Sequence, residues 1–287
     1  MISLRGAFWC GCLLAWSISP SLDATTVEVV GLQGYVEPAL PPTSVFGNRE
    51  QGVDLDVSNA APKSGPLMAD VFQVTGELSM PLATNVRLQD AVTLTGAPSQ
   101  RLHVSIKFPD VKQHAQILIR LSVGGTPPQT TPALLGDLHF EVFPNSLTNQ
   151  LADLLQPRPD GSVPVVLFGA GRKLHVFLGA IGVRFDDAGN DCPETFEAGR
   201  LYLGEMASAQ GAVPTQEMVN AAHVAIFAPD PLLPAGIYAE SRASGVFVQV
   251  TQPLLDNLSI DPRAQLALIK IIHLLNSQLA SNQPSSL

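Results

Sequence analysis

The chain has 287 residues, of which 46% are hydrophobic and 14% charged, and its formal net charge is −9. These apolar residues suffice for a buried core, which excludes wholesale disorder, and the acidic balance argues against nucleic acid as the main partner. No internal apolar run reaches the roughly 18 residues of a membrane-spanning helix, so we expect no transmembrane segment in the mature chain.

Residues 1–24 have the pattern of a secretory signal peptide. Arg5 is the only charged residue before Asp23, and the apolar run over 6–18 is followed by small residues. We therefore predict cleavage after Ala24, with Ser19 as the alternative site, and a secreted or periplasmic location. A lipid anchor through Cys12 is the alternative. Cleavage would leave Cys192 as the remaining cysteine, so the exported chain would have no internal disulfide.

Residues 25–144 are predicted to form an antiparallel β-sandwich. Apolar and polar residues alternate over 53–57, 102–108, 117–121 and 138–143, and segments rich in Gly and Pro separate these runs. Alternation with a period of two places one face of a strand on a core and the other toward water. Several such strands in a segment of this length favour a sandwich of two sheets.

The pattern changes after Pro144, where helical spacing begins. Asn145 or Ser146 can cap a helix whose leucines form one stripe, at positions 147, 151, 154 and 155. The continuous apolar run over 163–168 predicts a strand buried on both faces. A glycine turn over 169–171 then leads into a second helix.

Further strands are predicted over 200–204 and 223–227, with a short helix over 215–222 between them, and a hairpin is predicted over 237–250. Asp261 and Pro262 supply the N-cap and the first residue of the last helix. This alternation predicts that residues 145–280 form a Rossmann-like α/β domain, a mostly parallel sheet with helices on both faces. Residues 281–287 are expected to be a flexible tail. The fold class is thus a two-domain α+β protein.

Two segments resemble parts of known proteins. The stretch from Val57 to the closing strand that ends at Pro144 resembles an accessory β-sandwich of large, family 2-type β-glycosidases. The segment 164–276 is similar to the non-catalytic glutamine-amidotransferase-like domains sometimes found with such enzymes, through residues 168–171, 201–205 and 245–251. The glycosidase barrel that carries the catalytic carboxylates has no room in this chain. The resemblance therefore implies an accessory or binding module.

The glycine turn is the first candidate site. Gly169 and Gly171 lie between a strand and a helix, where backbone N–H groups can bind an anion, and Arg172 would add positive charge. The alternative is a tight turn that requires glycine for conformational reasons. An amidotransferase-like site would need a Cys nucleophile in this turn, and Ala170 stands between the glycines.

A second candidate lies in an acidic segment. Asp186, Asp187, Asn190 and Asp191 are oxygen donors of the kind that calcium binds, although a solvated turn has the same composition. Cys192 follows them, and its acidic neighbours should raise its pKa, so catalysis by this thiol is not expected. The histidines form no metal-binding motif, and no cofactor is predicted.

Topology gives the remaining candidates. Open parallel sheets bind ligands beyond the carboxyl ends of their strands, where the sequence places Glu205 and Asp230 together with the glycine turn. Two functions remain open. One is a secreted, non-catalytic accessory or binding module whose partner is a carbohydrate or an envelope protein. The other is a glycoside or ester hydrolase that uses Glu205 or Asp230 with a nearby histidine.

Overall fold

The computed structural model describes residues 25–33, 44–124, 132–157, 164–208, 222–230, 232–242 and 245–281. The predicted signal peptide, including Cys12, lies outside these ranges. So do residues 215–221 of the helix predicted over 215–222, and residues 282–287 of the predicted tail.

Two sheets form the part of the chain before Pro144. Their strands are β1 (Thr26–Leu32), β2 (Ser44–Phe46), β3 (Glu50–Ser58), β4 (Lys63–Thr75), β5 (Leu78–Leu94), β6 (Ser99–Lys107), β7 (Ala115–Val123) and β8 (Ala133–Phe143). One sheet has the order β1-β3-β6 and the other β2-β8-β7-β4-β5. All pairs are antiparallel except β2 with β8. Both sheets contribute to one apolar core, an arrangement that fits the predicted sandwich.

The edge strand β5 pairs with β4 in an irregular register. The register between the two shifts at four places, and each shift inserts a residue of β5 that has no partner in β4. Asn85 lies in one of these irregular stretches with φ of 55°, and its N–H donates to Asp70 Oδ1 at 2.7 Å. Bulges of this kind bend a strand and increase its twist.

The chain after Pro144 forms a third sheet with helices. Its elements are α1 (Leu147–Leu154), β9 (Val165–Phe168), α2 (Lys173–Ala180), β10 (Asp186–Asp187), β11 (Leu201–Glu205), β12 (His223–Phe227), β13 (Ile237–Arg242), β14 (Gly245–Val250), a 3₁₀ helix (Leu254–Asn257) and α3 (Pro262–Ser281). The strand order is β10-β9-β11-β12-β14-β13. Only β13 runs antiparallel to its neighbour, so the sheet is mostly parallel as predicted. None of the described helices is long and apolar enough to cross a membrane.

The two faces of this sheet are covered differently. The helices α1, α2 and α3 all pack on one face, together with β-strand residues such as Leu167 and Leu203. On the opposite face, Phe168, Tyr202 and their neighbours pack against the side chains of Cys192, Phe196 and Met206. The expectation of helices on both faces is therefore not met by the described helices. In the described part of the chain a loop covers the second face instead, because the connection from β10 to β11 carries Cys192 and Phe196 rather than a helical stripe.

The helix α3 starts where the two parts of the chain meet. Asp261 Oδ1 accepts the N–H of Arg263 at 2.8 Å, which confirms the predicted cap, and it also accepts the hydroxyl of Ser44 at 2.8 Å. Arg263 forms an ion pair with Glu141 of β8 at 2.8 Å. Phe46 and Phe143, at the ends of β2 and β8, belong to the core beneath the helices. The described chain is thus a mixed α/β fold whose two parts share contacts.

Candidate functional site

The chain leaves neighbouring strands of the third sheet in opposite directions. After β9 it enters α2, whose Leu174 and Phe177 pack on the helical face. After β11 it continues with Met206, which packs on the opposite face. The ends of β9 and β11 therefore form a topological switch point, the place where open α/β sheets bind ligands. Glu205 and the glycine turn lie at this point.

A carboxylate of the chain itself occupies the switch point. The Oε2 atom of Glu205 accepts the backbone N–H of Leu174, in the first turn of α2, at 3.1 Å. The carbonyl oxygen of Glu205 accepts the N–H of Gly171, also at 3.1 Å. The side chain is buried. Glu205 thus supplies the negative charge that a helix N-terminus favours.

The two glycines are required because Glu205 fills the space around them. Gly169 has φ of +99°, and a Cβ there would lie 2.3 Å from the carbonyl oxygen of Glu205. A Cβ on Gly171 would lie 2.1 Å from both Cγ and Cδ of Glu205. The N–H of Gly169 donates to the carbonyl of Gly189 at 2.8 Å. Of the two interpretations of this turn, the geometry favours the tight turn.

Arg172 turns toward the acidic segment. Its guanidinium contacts Asp187 Oδ2 at 3.2 Å and Asn190 Oδ1 at 3.4 Å. The N–H of Gly189 and, secondarily, Arg172 hold the pKa of Asp187 below its usual value, although partial desolvation opposes them. The structure therefore brings together the predicted anion-binding arginine and two of the predicted metal ligands. The arginine supplies positive charge where a cation would need to bind.

Asp186 and Asp187 form a short strand where the sequence predicted a loop. They pair with Val166 and Leu167 as β10, at the edge of the sheet. Successive side chains of a strand point to opposite faces, so the two carboxylates have different partners. Asp186 pairs with Arg200, and Asp187 with Arg172. In the described part of the chain, no group of three or more His, Cys, Asp or Glu side chains is placed to hold a metal ion.

A cleft of about 330 Å³ opens beside the switch point. The ends of β11, β12 and β14 form its floor, and Glu205, Met206, Phe227 and Thr251 are among the lining residues. Lys173 and Asp256 stand at its side and form an ion pair. The hydrogen bond to Asp256 raises the pKa of Lys173. The cleft is therefore bordered by charges that already neutralise each other.

Asp230, the other predicted site carboxylate, is not among the residues that line this cleft. Its Oδ1 atom accepts the N–H of Leu232 at 2.9 Å, and its Oδ2 atom accepts the amide of Gln249 at 3.2 Å. Asp230 thus organises the turn before β13. The two predicted carboxylates do not share this cleft.

Cys192 and Tyr202 pack in the interior beneath the second face of the sheet. The thiol is half-buried against the core of the second face, and burial raises its pKa. A thiol with a raised pKa is a poor nucleophile at neutral pH. Tyr202 is buried, and its hydroxyl accepts the N–H of Glu197 at 2.8 Å. Tyr238 is partly exposed on β13.

Lys173 and Asp256 were missed by the sequence reasoning. Lys173 follows the glycine turn directly, and this position was the available signal for it. Asp256 lies in a 3₁₀ helix that follows Pro253, and no motif connects it to Lys173. Their pairing depends on α2 and the 3₁₀ helix lying side by side in the fold.

Comparison with known proteins assigns no family. No family model and no curated protein matches the chain. A DNA glycosylase AlkC of Pseudomonas fluorescens, bound to DNA with an abasic site analog, aligns with a TM-score of 0.25, 14% identity and coverage of 42% of this chain and 30% of that one. The sporulation control protein Spo0M of Bacillus subtilis aligns at 0.27 and 12% identity, over 46% and 56%. A β-glucosidase of Listeria innocua in complex with glucose aligns at 0.24 and 10% identity, over 42% and 16%.

Proposed function

We propose that this protein is an exported, non-catalytic binding module whose partner is another protein of the cell envelope. Export rests on the signal-peptide pattern of residues 1–24. The observation that carries the non-catalytic part is the position of Glu205. Its carboxylate is buried and hydrogen-bonded to Leu174 within the turn where an amidotransferase-like enzyme would carry its nucleophile.

Three other observations on the third sheet support the same proposal. Ala170, between the two glycines, carries a methyl group and can neither attack a substrate nor transfer a proton. The thiol of Cys192 lies in an apolar environment that keeps it protonated. The charges of Lys173 and Asp256, at the adjacent cleft, are paired with each other.

The strand β13 offers a surface for a protein partner. It is the last strand of the sheet in the described chain, and its residues 237–241 are exposed. Apolar side chains are exposed there and just before it, with Ile237 at 42% and Leu232 at 81%. An open edge with apolar side chains can accept a strand from another chain through main-chain hydrogen bonds. This edge favours a protein over a carbohydrate, because Tyr238 is the single aromatic residue of β13 that could stack on a sugar.

A turnover assay tests the non-catalytic part. Purified protein should hydrolyse none of a panel of glycosides and acyl esters above the rate of a heat-denatured control. Turnover that is lost in Glu205→Gln or Asp230→Asn would overturn the proposal in favour of the hydrolase. These variants keep the size of the side chain, so folding can be verified separately by circular dichroism.

A capture experiment tests the protein-binding part. The immobilised protein is incubated with solubilised envelope, and retained proteins are quantified by mass spectrometry. Ile237→Lys should lose the retained partner, whereas Val176→Lys, which places the same charge on an exposed apolar position of α2, should keep it. Equal retention by both variants would contradict the role of β13. Binding to a glycan array that Ile237→Lys leaves intact would favour the carbohydrate partner.

A further inference from the structure

The sandwich contains a cavity that is unrelated to the switch point. It has a volume of about 560 Å³ and lies between β6 of one sheet and β4 and β5 of the other. Its floor consists of buried apolar side chains, including Val71, Ile106, Phe108 and Ile119. The size falls within the range of about 300 to 1,000 Å³ that is typical of small-molecule sites.

The irregular pairing of β5 explains why the cavity exists. The strands β5 and β6 are the edge strands of their sheets and follow each other in the chain. The four extra residues of β5 lie in the part of that strand that pairs with Lys63 to Thr75 of β4. This part borders the cavity. Because bulges bend a strand, we expect the irregular β5 to pack less closely against the neighbouring sheet, which would leave room for the cavity. Ala83, Val86 and Leu88 of β5 form the wall and are only partly buried.

The mouth of the cavity carries charges of both signs. Lys107 and Arg87 contribute positive charge, and Glu50 and Asp110 contribute negative charge. Glu50 lies opposite Lys107 in the pairing of β3 with β6, and it accepts the hydroxyl of Ser105 at 2.6 Å. A ligand with an apolar body and a polar end matches an apolar floor below a charged rim. The mixed charge does not select a head group of one sign.

We propose that this cavity binds the hydrocarbon chain of a single-chain amphiphile, such as a fatty acid or a fatty alcohol. The hydrocarbon chain would lie along the partly buried wall of Ala83, Val86 and Leu88, above the apolar floor, while the polar end would stay at the rim. Because burial of apolar surface would provide the affinity, each added methylene should tighten binding about fourfold until the cavity is filled. A fatty acid and a fatty alcohol of the same chain length should have dissociation constants within about threefold of each other.

Calorimetric titration of the full chain with saturated acids and alcohols of increasing length tests this proposal. Displacement of N-phenyl-1-naphthylamine gives an independent fluorescence signal. Ala83→Phe should fill the cavity and weaken binding at least about tenfold, without a loss of thermal stability. Thr84→Phe adds the same ring to the adjacent residue, which does not line the cavity, and should bind like the unmodified protein.

Three results would overturn the proposal. The first is an absence of binding for every chain length by the unmodified protein. The second is equal binding by the Ala83→Phe and unmodified proteins. The third is a strong preference for the acid or the alcohol that does not depend on chain length, because this would place the affinity at the rim. None of these results bears on Glu205 or β13, so the proposed function stands or falls separately.

Discussion

Replacement of Gly171 by alanine should destabilise the protein through one contact. The new Cβ would lie 2.1 Å from Cγ and Cδ of Glu205, where ordinary contact begins at 3.4 Å. Glu205 must therefore move, and it loses the hydrogen bond from Leu174. Overpacking of this kind costs about 1 to 3 kcal/mol, and the lost buried hydrogen bond costs about 1 to 3 kcal/mol more. We expect a decrease of about 3 kcal/mol in the free energy of unfolding.

A double-mutant cycle isolates the contact. Glu205→Ala alone should cost about 1 to 3 kcal/mol, because the N–H of Leu174 loses its acceptor. In that background Gly171→Ala should cost less than about 0.5 kcal/mol, since the obstructing atoms are gone, which gives a coupling of about 2 kcal/mol. Unfolding in urea at neutral pH, followed by circular dichroism, measures each corner of the cycle.

Gly169→Ala provides the matched control. Its Cβ would meet the main-chain oxygen of Glu205, and its φ of +99° is unfavourable for alanine in either background. Gly169→Ala should therefore destabilise the Glu205→Ala protein as much as it destabilises the unmodified protein. Additive effects of Gly171→Ala and Glu205→Ala would refute the assignment of Glu205 as the occupant of the turn.

Three further predictions concern other parts of the fold. Asp261→Ala should lower the free energy of unfolding, measured in urea, by about 1 to 2 kcal/mol, because Arg263 N–H and the Ser44 hydroxyl both lose this acceptor. A decrease of less than about 0.3 kcal/mol would contradict this role of Asp261. Burial holds the pKa of His223 below its usual value of about 6.5, so the unfolded chain binds the proton more tightly and stability should fall as the pH decreases below that value. His223→Leu should flatten this slope between about pH 7 and pH 5, and an unchanged slope would count against it. Alkylation of Cys192 by iodoacetamide near neutral pH should be at least about tenfold slower than alkylation of glutathione, and a comparable rate would show an accessible thiolate.

Strong local patterns explain which elements could be predicted. The strand β12 begins and ends at the predicted residues, and β9 and β11 lie within two residues of them, because strands covered on both faces are continuously apolar. The last helix starts at Pro262 as its cap predicts. The turn at 169–171 was located by its glycines.

Elements without such patterns were missed. The strand β5 is mostly exposed and contains Pro81, which sequence rules read as a break although edge strands tolerate proline. The two aspartates of β10 favour a loop by composition, and their pairing with β9 rests on main-chain groups alone. The role of Glu205 depends on register, because the pairing of Gly204 with Phe168 places the next residue beside Gly169. No local pattern contains that information.

The contact between Asp261 and Ser44 joins residues that are 217 positions apart. Phe46 and Phe143 rest on the same core as α3, so a fragment that stopped at Pro144 would present these two rings to water. During synthesis these contacts of the early strands can therefore form only after the last helix has been synthesised. Contacts of such long range slow the search for the native state. If residues 1–24 direct export as proposed, such a delay would favour passage across a membrane before the chain folds.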